Sequence, residues 1–227
     1  GGVRMKRLII ICFLLSTMLT ASSKIAIAVK VKGKVSIVEN GSTGKQKLVP
    51  GMALKDQDKI LTGKGGFAAV MYLDDKTVLK LLANSDLTIA GKRTGNRINK
   101  SLDIKYGKIT ADIAPQKGNE FRIATPTSVA SVKGTELTIA SNPSTGDSFS
   151  LIEGVVEVTN TITGESTEVV EGETVISTPE GSLKVHETTS EDMVGFEEAD
   201  IEIPTQELRF EIEDEDGNIK EIVIQFN

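Results

Sequence analysis

From Val29 to about Val185, apolar and polar residues alternate in short runs, broken by turn residues roughly every eight to twelve positions. "KVSIVE" runs into "NGSTG", "FAAVMYL" into "DDK", "TVLKLL" into "NSD" and "ELTIAS" into "NPSTGDS". A period of two lines one face of a strand with apolar side chains, and clustered Gly, Asn, Asp and Pro mark the reversals between strands. No segment carries a helical stripe. The pattern predicts an all-β chain of many short strands, built as a sandwich, a barrel or a short solenoid-like stack of β-coils. "KGKVSIVE", "YGKITADI", "EGVVEVTN" and "EGETVIS" each set a glycine just before such a strand, as though one corner recurs, although the spacing is too irregular for a strict repeat.

The two ends depart from this pattern. Residues 1–28 are expected to be a signal peptide, with 1–4 as an upstream extension: basic residues precede an apolar run from Leu8 to Ala21, and cleavage is expected after Ala28. That run falls short of the ~20 residues a membrane span needs. Residues 29–187 form the main β domain, 188–206 an acidic linker, and 207–227 a C-terminal β-hairpin. In the last of these, Phe210 and Ile212 alternate with glutamates, "DEDGN" turns the chain, and Ile222, Ile224 and Phe226 alternate again. A lone hairpin is marginal in water, so its apolar face should pack on the main domain or on a partner.

Composition narrows the function. Between Glu187 and Asn227 stand 14 acidic residues against Arg209 and Lys220, and much of the basic excess elsewhere belongs to the signal. With no clustered basic face, nucleic acid is not an expected partner. The single cysteine, Cys12, lies within the apolar run, so the mature chain would have neither disulfides nor thiolate chemistry. After cleavage the protein is not expected to be integral to a membrane.

"IATPTSVASVKGTELTI", Ile123 to Ile139, breaks a strand pattern with Gly134-Thr135 after an upstream Thr125-Pro126. Around it, other short motifs follow in series: Gly33, Val35 and Ile37; Leu48 and Gly51; Asp58, Ile60 and Thr62; Asp74, Val78 and Leu79; Gly107 and Ile109; Phe121 and Ile123; Glu136; Glu153, Gly154, Val156 and Val158; Gly172 and Glu173. In this order the chain resembles the FecR domain family over about residues 30–180. The resemblance implies an exported all-β domain, solenoid-like in that family, with Thr125, Pro126, Gly134, Thr135, Gly154 and Gly172 as structural signature. Gln57 replaces the glycine of the family's Gly-Asp pair, and Lys133 replaces the usual arginine before Gly-Thr, keeping charge but losing the planar fork. Regulators of this type place an anti-sigma segment and a membrane span before the domain. Here the residues before Val29 are taken up by the signal, so the domain is implied and not the whole iron-uptake signalling mechanism.

Gly134 is expected to serve as a bend between layers, with a ligand passing beside Lys133 as the alternative. Reactive chemistry is not expected. "GDS" at Gly146–Ser148 lacks the histidine and acid partners that activate a serine, and the sole histidine, His186, sits in the alternating run "LKVHE". "KGT" at Lys133–Thr135 has no Ser-x-x-Lys to accompany it. Asp214, Asp216 and Asn218 could offer oxygens to calcium, but an EF-hand loop would require an aspartate where Ile212 stands. The expectation is a non-catalytic exported domain, periplasmic or associated with the cell envelope, without cofactor or resident metal. It would act in binding, scaffolding or sensing toward another envelope protein or a cell-surface polymer. The alternatives are an accessory component of transporter-linked signalling and, more remotely, an envelope hydrolase.

Overall fold

The computed structural model describes residues 24–193 except 96, 119 and 120, together with the backbone of two later strands, 206–213 and 219–226. Among the described residues there is no helix, and so none long and apolar enough to cross a membrane. The main body consists of β1 (Lys24–Lys32), β2 (Val35–Val38), β3 (Lys45–Lys47), β4 (Ala53–Lys55), β5 (Asp58–Thr62), β6 (Phe67–Tyr72), β7 (Val78–Leu81), β8 (Asp86–Thr94), β9 (Arg97–Ile113), β10 (Phe121–Ala124), β11 (Ser128–Val132), β12 (Thr135–Asn142), β13 (Gly146–Glu153), β14 (Val155–Asn160), β15 (Ser166–Val170), β16 (Glu173–Ser177) and β17 (Leu183–Glu187). Two further strands, β18 (Gln206–Glu213) and β19 (Ile219–Phe226), pair antiparallel with each other in a separate sheet.

Hydrogen bonding sorts β1 to β17 into two layers joined through one long strand. Sheet I runs β4-β1-β6-β7-β9-β12-β13-β16-β17. Sheet II runs β3-β2-β5-β8-β9-β10-β11-β14-β15. Within these sheets the β9–β10 pairing is parallel and the others are antiparallel. From β10 onward the chain lays hairpins on the two layers in turn: β10–β11 on sheet II, β12–β13 on sheet I, β14–β15 on sheet II and β16–β17 on sheet I.

β9 shows how sequence produces this crossing. Its first part, to Tyr106, pairs in sheet II and buries Ile98, Leu102 and Ile104; its second part, from Gly107, pairs in sheet I and buries Ile109, Ala111 and Ile113. The buried phase changes from even to odd positions because a strand that moves to the facing sheet must turn its other side to the core. Gly107 stands at that switch with φ of 110°, and a Cβ there would fall 2.5 Å from the Ser85 Cα. Only glycine fits.

One apolar core fills the space between the sheets and draws on both. Tyr72 from sheet I and Phe121 from sheet II meet edge to face, with ring centroids 6.0 Å apart and planes at 87°. The Tyr72 hydroxyl donates to the Ala90 carbonyl at 3.1 Å, so the buried ring keeps its polar end satisfied.

The described body begins ahead of the boundary expected at Ala28. Ile25, Ala26 and Ala28 are fully buried, and Ala26, Ile27 and Ala28 pair with Tyr72, Met71 and Val70 of β6. A chain cut after Ala28 would lack the first half of β1 and the core contacts of Ile25, Ala26 and Ala28.

Candidate functional site

A heavily charged recess lies at the seam between the sheets. Asp74 and Asp75 occupy the turn joining β6 to β7, while Lys100 comes from the sheet II part of β9, in the same alternating phase as Ile98 and Leu102. That phase points the lysine inward, where an unpaired charge would be costly. Its Nζ lies 2.8 Å from Asp74 Oδ2 and 2.7 Å from Asp75 Oδ2, and its side chain is 1% exposed. The same ammonium stands 5.4 Å from the Tyr72 ring centroid, a cation–π distance. Asp74 Oδ2 also accepts the Ile98 amide at 2.8 Å, and Gln116 Nε2 donates to Asp75 Oδ2 at 2.8 Å. Asp74 Oδ1 is buried without a hydrogen-bond partner among the described residues.

Burial pushes the Asp75 carboxyl up. Hydrogen bonds from Lys100, the Thr77 amide and Gln116, together with the Lys100 charge, outweigh that effect and hold it below the usual carboxylate range. Burial, reinforced by the nearby aspartates, drives the Tyr72 phenol upward, so it stays neutral and keeps donating. Arg97 and Lys117 line the open side of the recess, which encloses about 470 Å³. Two carboxylates share one ammonium here, and the cluster ties a turn of sheet I to a strand of sheet II. The geometry suits a strut with a polar mouth; it offers no nucleophile with an adjacent base.

Pro115 separates this recess from a second one of about 440 Å³ that contains Lys133, Gly134, Glu157 and Glu168. The Gln116 amide donates to the Lys133 carbonyl at 2.8 Å, so one short segment supports both. Glu157 and Glu168 face each other directly across β14 and β15. Gly134 stands where the chain passes from β11 in sheet II to β12 in sheet I, with φ of 150° and Pro115 Cα 3.0 Å from where a Cβ would sit. At Gly154 a Cβ would fall 2.7 Å from the Gly134 carbonyl oxygen. The two glycines therefore lie back to back at one corner, and Thr135 Oγ1 beside them donates to the Val155 carbonyl at 3.4 Å.

Thr125 and Pro126 open the turn between β10 and β11. The Thr125 amide donates to the Ser128 carbonyl at 2.9 Å, and Asp147, buried in β13, accepts the Thr127 amide at 2.8 Å as well as the Thr127 hydroxyl. Asp147 of the "GDS" stretch is thus occupied in holding a turn of the opposite layer. Gly172 lies between β15 and β16, where its amide donates to the Leu151 carbonyl at 3.1 Å. His186, on edge strand β17, meets Asp192 at 3.1 Å; no serine hydroxyl reaches it among the described residues. Burial raises the Asp192 carboxyl, but hydrogen bonds from the Thr189 amide and hydroxyl and from His186 bring it below its ordinary range. Asp214, Asp216 and Asn218 lie outside the described residues, and the described residues contain no cluster of three or more metal-ligating side chains.

The structure brings Lys133 and Gly134 together with Pro115, and it adds the Asp74–Asp75–Lys100–Gln116 cluster, which motif reading passed over. A signal for it was available: a lysine in the apolar phase of "RINKSLDI" needs a buried acid, and "DD" stands in a nearby turn.

The family described as FecR protein matches residues 58–157. No curated protein matches the sequence significantly. Two crystal structures of a candidate anti-sigma factor from Parabacteroides distasonis, at 2.50 and 1.65 Å resolution, share the fold with TM-scores of 0.52 and 0.50. In both cases the identity is 16%, and the match covers 67% of this chain and 66% of the other. The chain thus spans about two thirds of the length of those proteins. The match takes in β5 to β13 and the first half of β14, and with it the crossing strand β9, the Lys100 seam and the Gly134 corner: over these residues the chain carries a FecR domain.

Proposed function

We propose that the protein is a non-catalytic, exported FecR domain protein that acts in binding, scaffolding or sensing at the cell envelope, in a signalling-related regulatory role. The FecR match over residues 58–157 carries this reading. The fold likeness to a candidate anti-sigma factor supports the regulatory part. The solenoid-like description suits a chain that lays hairpins on alternate layers and so grows along one axis. The contact surfaces would be the sheet edges and the acidic C-terminal segment. At the Lys100 seam the buried charges are spent on one another, which favours a stable platform over a reaction centre.

The test is cross-linking in intact cells of the native host, followed by fractionation and recovery of the tagged full chain. Recovery from the envelope with a cross-linked partner that carries a membrane span and a cytoplasmic regulatory segment is the expected result. A chain found in the cytosol, or one that turns over envelope substrates when purified, would refute the proposal.

A further inference from the structure

A central patch of the outer face of sheet I, the side turned away from sheet II, is buried, while Lys32, Asp112 and Lys184 at its margins are exposed. Val29, Phe67, Ala69 and Met71 form a second apolar cluster there, with Ile27 and Val78 packed against it. Beside the cluster, small polar residues cross the sheet as successive cross-strand partners: Thr110, Thr138, Ser150 and Thr174, exposed by 2%, 1%, 1% and 0%. The Thr110 and Thr138 hydroxyls are buried and find no partner among the described residues. Threonines on an uncovered sheet face keep much of their surface in water, and buried hydroxyls are ordinarily paired. Sheet II cannot supply the cover because it packs on the opposite side.

The described chain heads toward this face. After β17, the Thr188 hydroxyl meets that of Thr174 at 2.9 Å. Asp192 then shares a recess with Lys108, Ala140 and Ser148, which belong to β9, β12 and β13. Residues 188–193 therefore turn back across sheet I instead of continuing away from its edge.

We propose that the β18–β19 ribbon docks on the outer face of sheet I and covers it. The register sets Leu208 opposite Ile224 and Phe210 opposite Ile222, so the apolar alternations of the two strands are in phase and make one apolar side. Residues 194–205 reach roughly 40 Å when extended, against about 29 Å for the six strand spacings from β17 to β6. The net charge of the segment is also opposite to that of the face. Lys30, Lys32, Lys80 and Lys184 lie on the outward phase of sheet I against Asp112 and Glu136, whereas residues 187–227 hold 14 acids and two bases.

Thiol accessibility tests this in the full chain with Cys12→Ser. Met71→Cys reports on the covered face and Val155→Cys, at a position 47% exposed, on the outer side of sheet II. Met71→Cys should label on the order of 100-fold more slowly than Val155→Cys, and Phe210→Asp with Ile224→Asp should accelerate it about 10-fold or more while leaving Val155→Cys unchanged. If the double variant speeds both reporters, Ile224→Ser alone decides by the same criterion. Equal labelling at the two positions in the parent would overturn the proposal, as would protection indifferent to the ribbon substitutions. Protection that fades on dilution would assign the face to a second copy, and protection lost when Leu8–Ala21 is deleted would assign it to the leader; either result also overturns it.

Discussion

The two sheets share a core, yet their outer faces differ. Across sheet II one row of partners runs Ala90, Ser101, Arg122, Ser131, Glu157 and Glu168, and none of the six is buried. The corresponding row of sheet I passes from Ala69 through Lys80 to Thr110, Thr138, Ser150 and Thr174, and all of these except Lys80 are buried. The open row carries three charged residues and the covered row one, but like residues also differ: Ser101 and Ser131 are half-buried on sheet II whereas Ser150 and Thr138 are buried on sheet I, so residue type alone does not explain the contrast. Alternation tells which side of a strand avoids the core; whether that side meets water depends on what lies above it. Three environments result, a shared seam, a covered face and an open face, and substitutions should rank in that order.

The seam should respond most. A chain that starts at Val29 loses Ile25, Ala26 and Ala28 from the core, and Ile→Ala at one buried site already costs about 2–5 kcal/mol. Such a chain should fail to melt cooperatively by calorimetry; a stable, cooperatively melting chain that starts at Val29 would show that the first half of β1 is dispensable, as cleavage after Ala28 requires. Next, Lys100→Ala strands two carboxylates at the seam and should cost about 3–5 kcal/mol by denaturant unfolding, with Lys100→Met also destabilising.

The sign of the pH effect follows from the lowered Asp75 carboxyl. Its contribution is complete above its unfolded value of about 4 and is lost as pH falls through the lower folded value. Asp75→Asn should therefore flatten the loss of stability below pH ~4, and a variant with the parent's full acid slope would remove Asp75 from the account.

A matched pair then separates the two faces. Thr138→Lys forces a charge beneath the cover of sheet I and should lower stability by about 2–3 kcal/mol, whereas Ser131→Lys on sheet II should stay within about 0.5 kcal/mol. Equal effects would erase the distinction between the faces. The smallest change is expected from Glu168→Gln, which relieves the facing Glu157 on the open side and should raise stability by about 0.3 kcal/mol.

Motif reading located the corner at Gly134 because a glycine between two alternating runs is a local signal. The FecR resemblance was legible for a similar reason: its short motifs keep their serial order whatever the fold does with them. The Lys100 seam was harder to see, since Asp74 and Asp75 reach Lys100 across 26 and 25 residues of chain, and only the phase of "RINKSLDI" hints that the lysine is internal. The start of the body was hidden as well. "KIAIA" satisfies both a signal-like ending and an alternating strand, and composition does not choose between them.

By itself the sequence determined the all-β class, the placing of the reversals and which side of each strand is apolar, because these depend on neighbours within a few residues. Tertiary structure alone decided how the strands divide between two sheets, that Lys100 is neutralised at their seam, and that a central patch of one outer face is buried while the matching row of the other is open. Those outcomes depend on groups distant in the chain arriving at the same place, and alternation along a strand holds no record of its neighbour across the sheet or of what covers it.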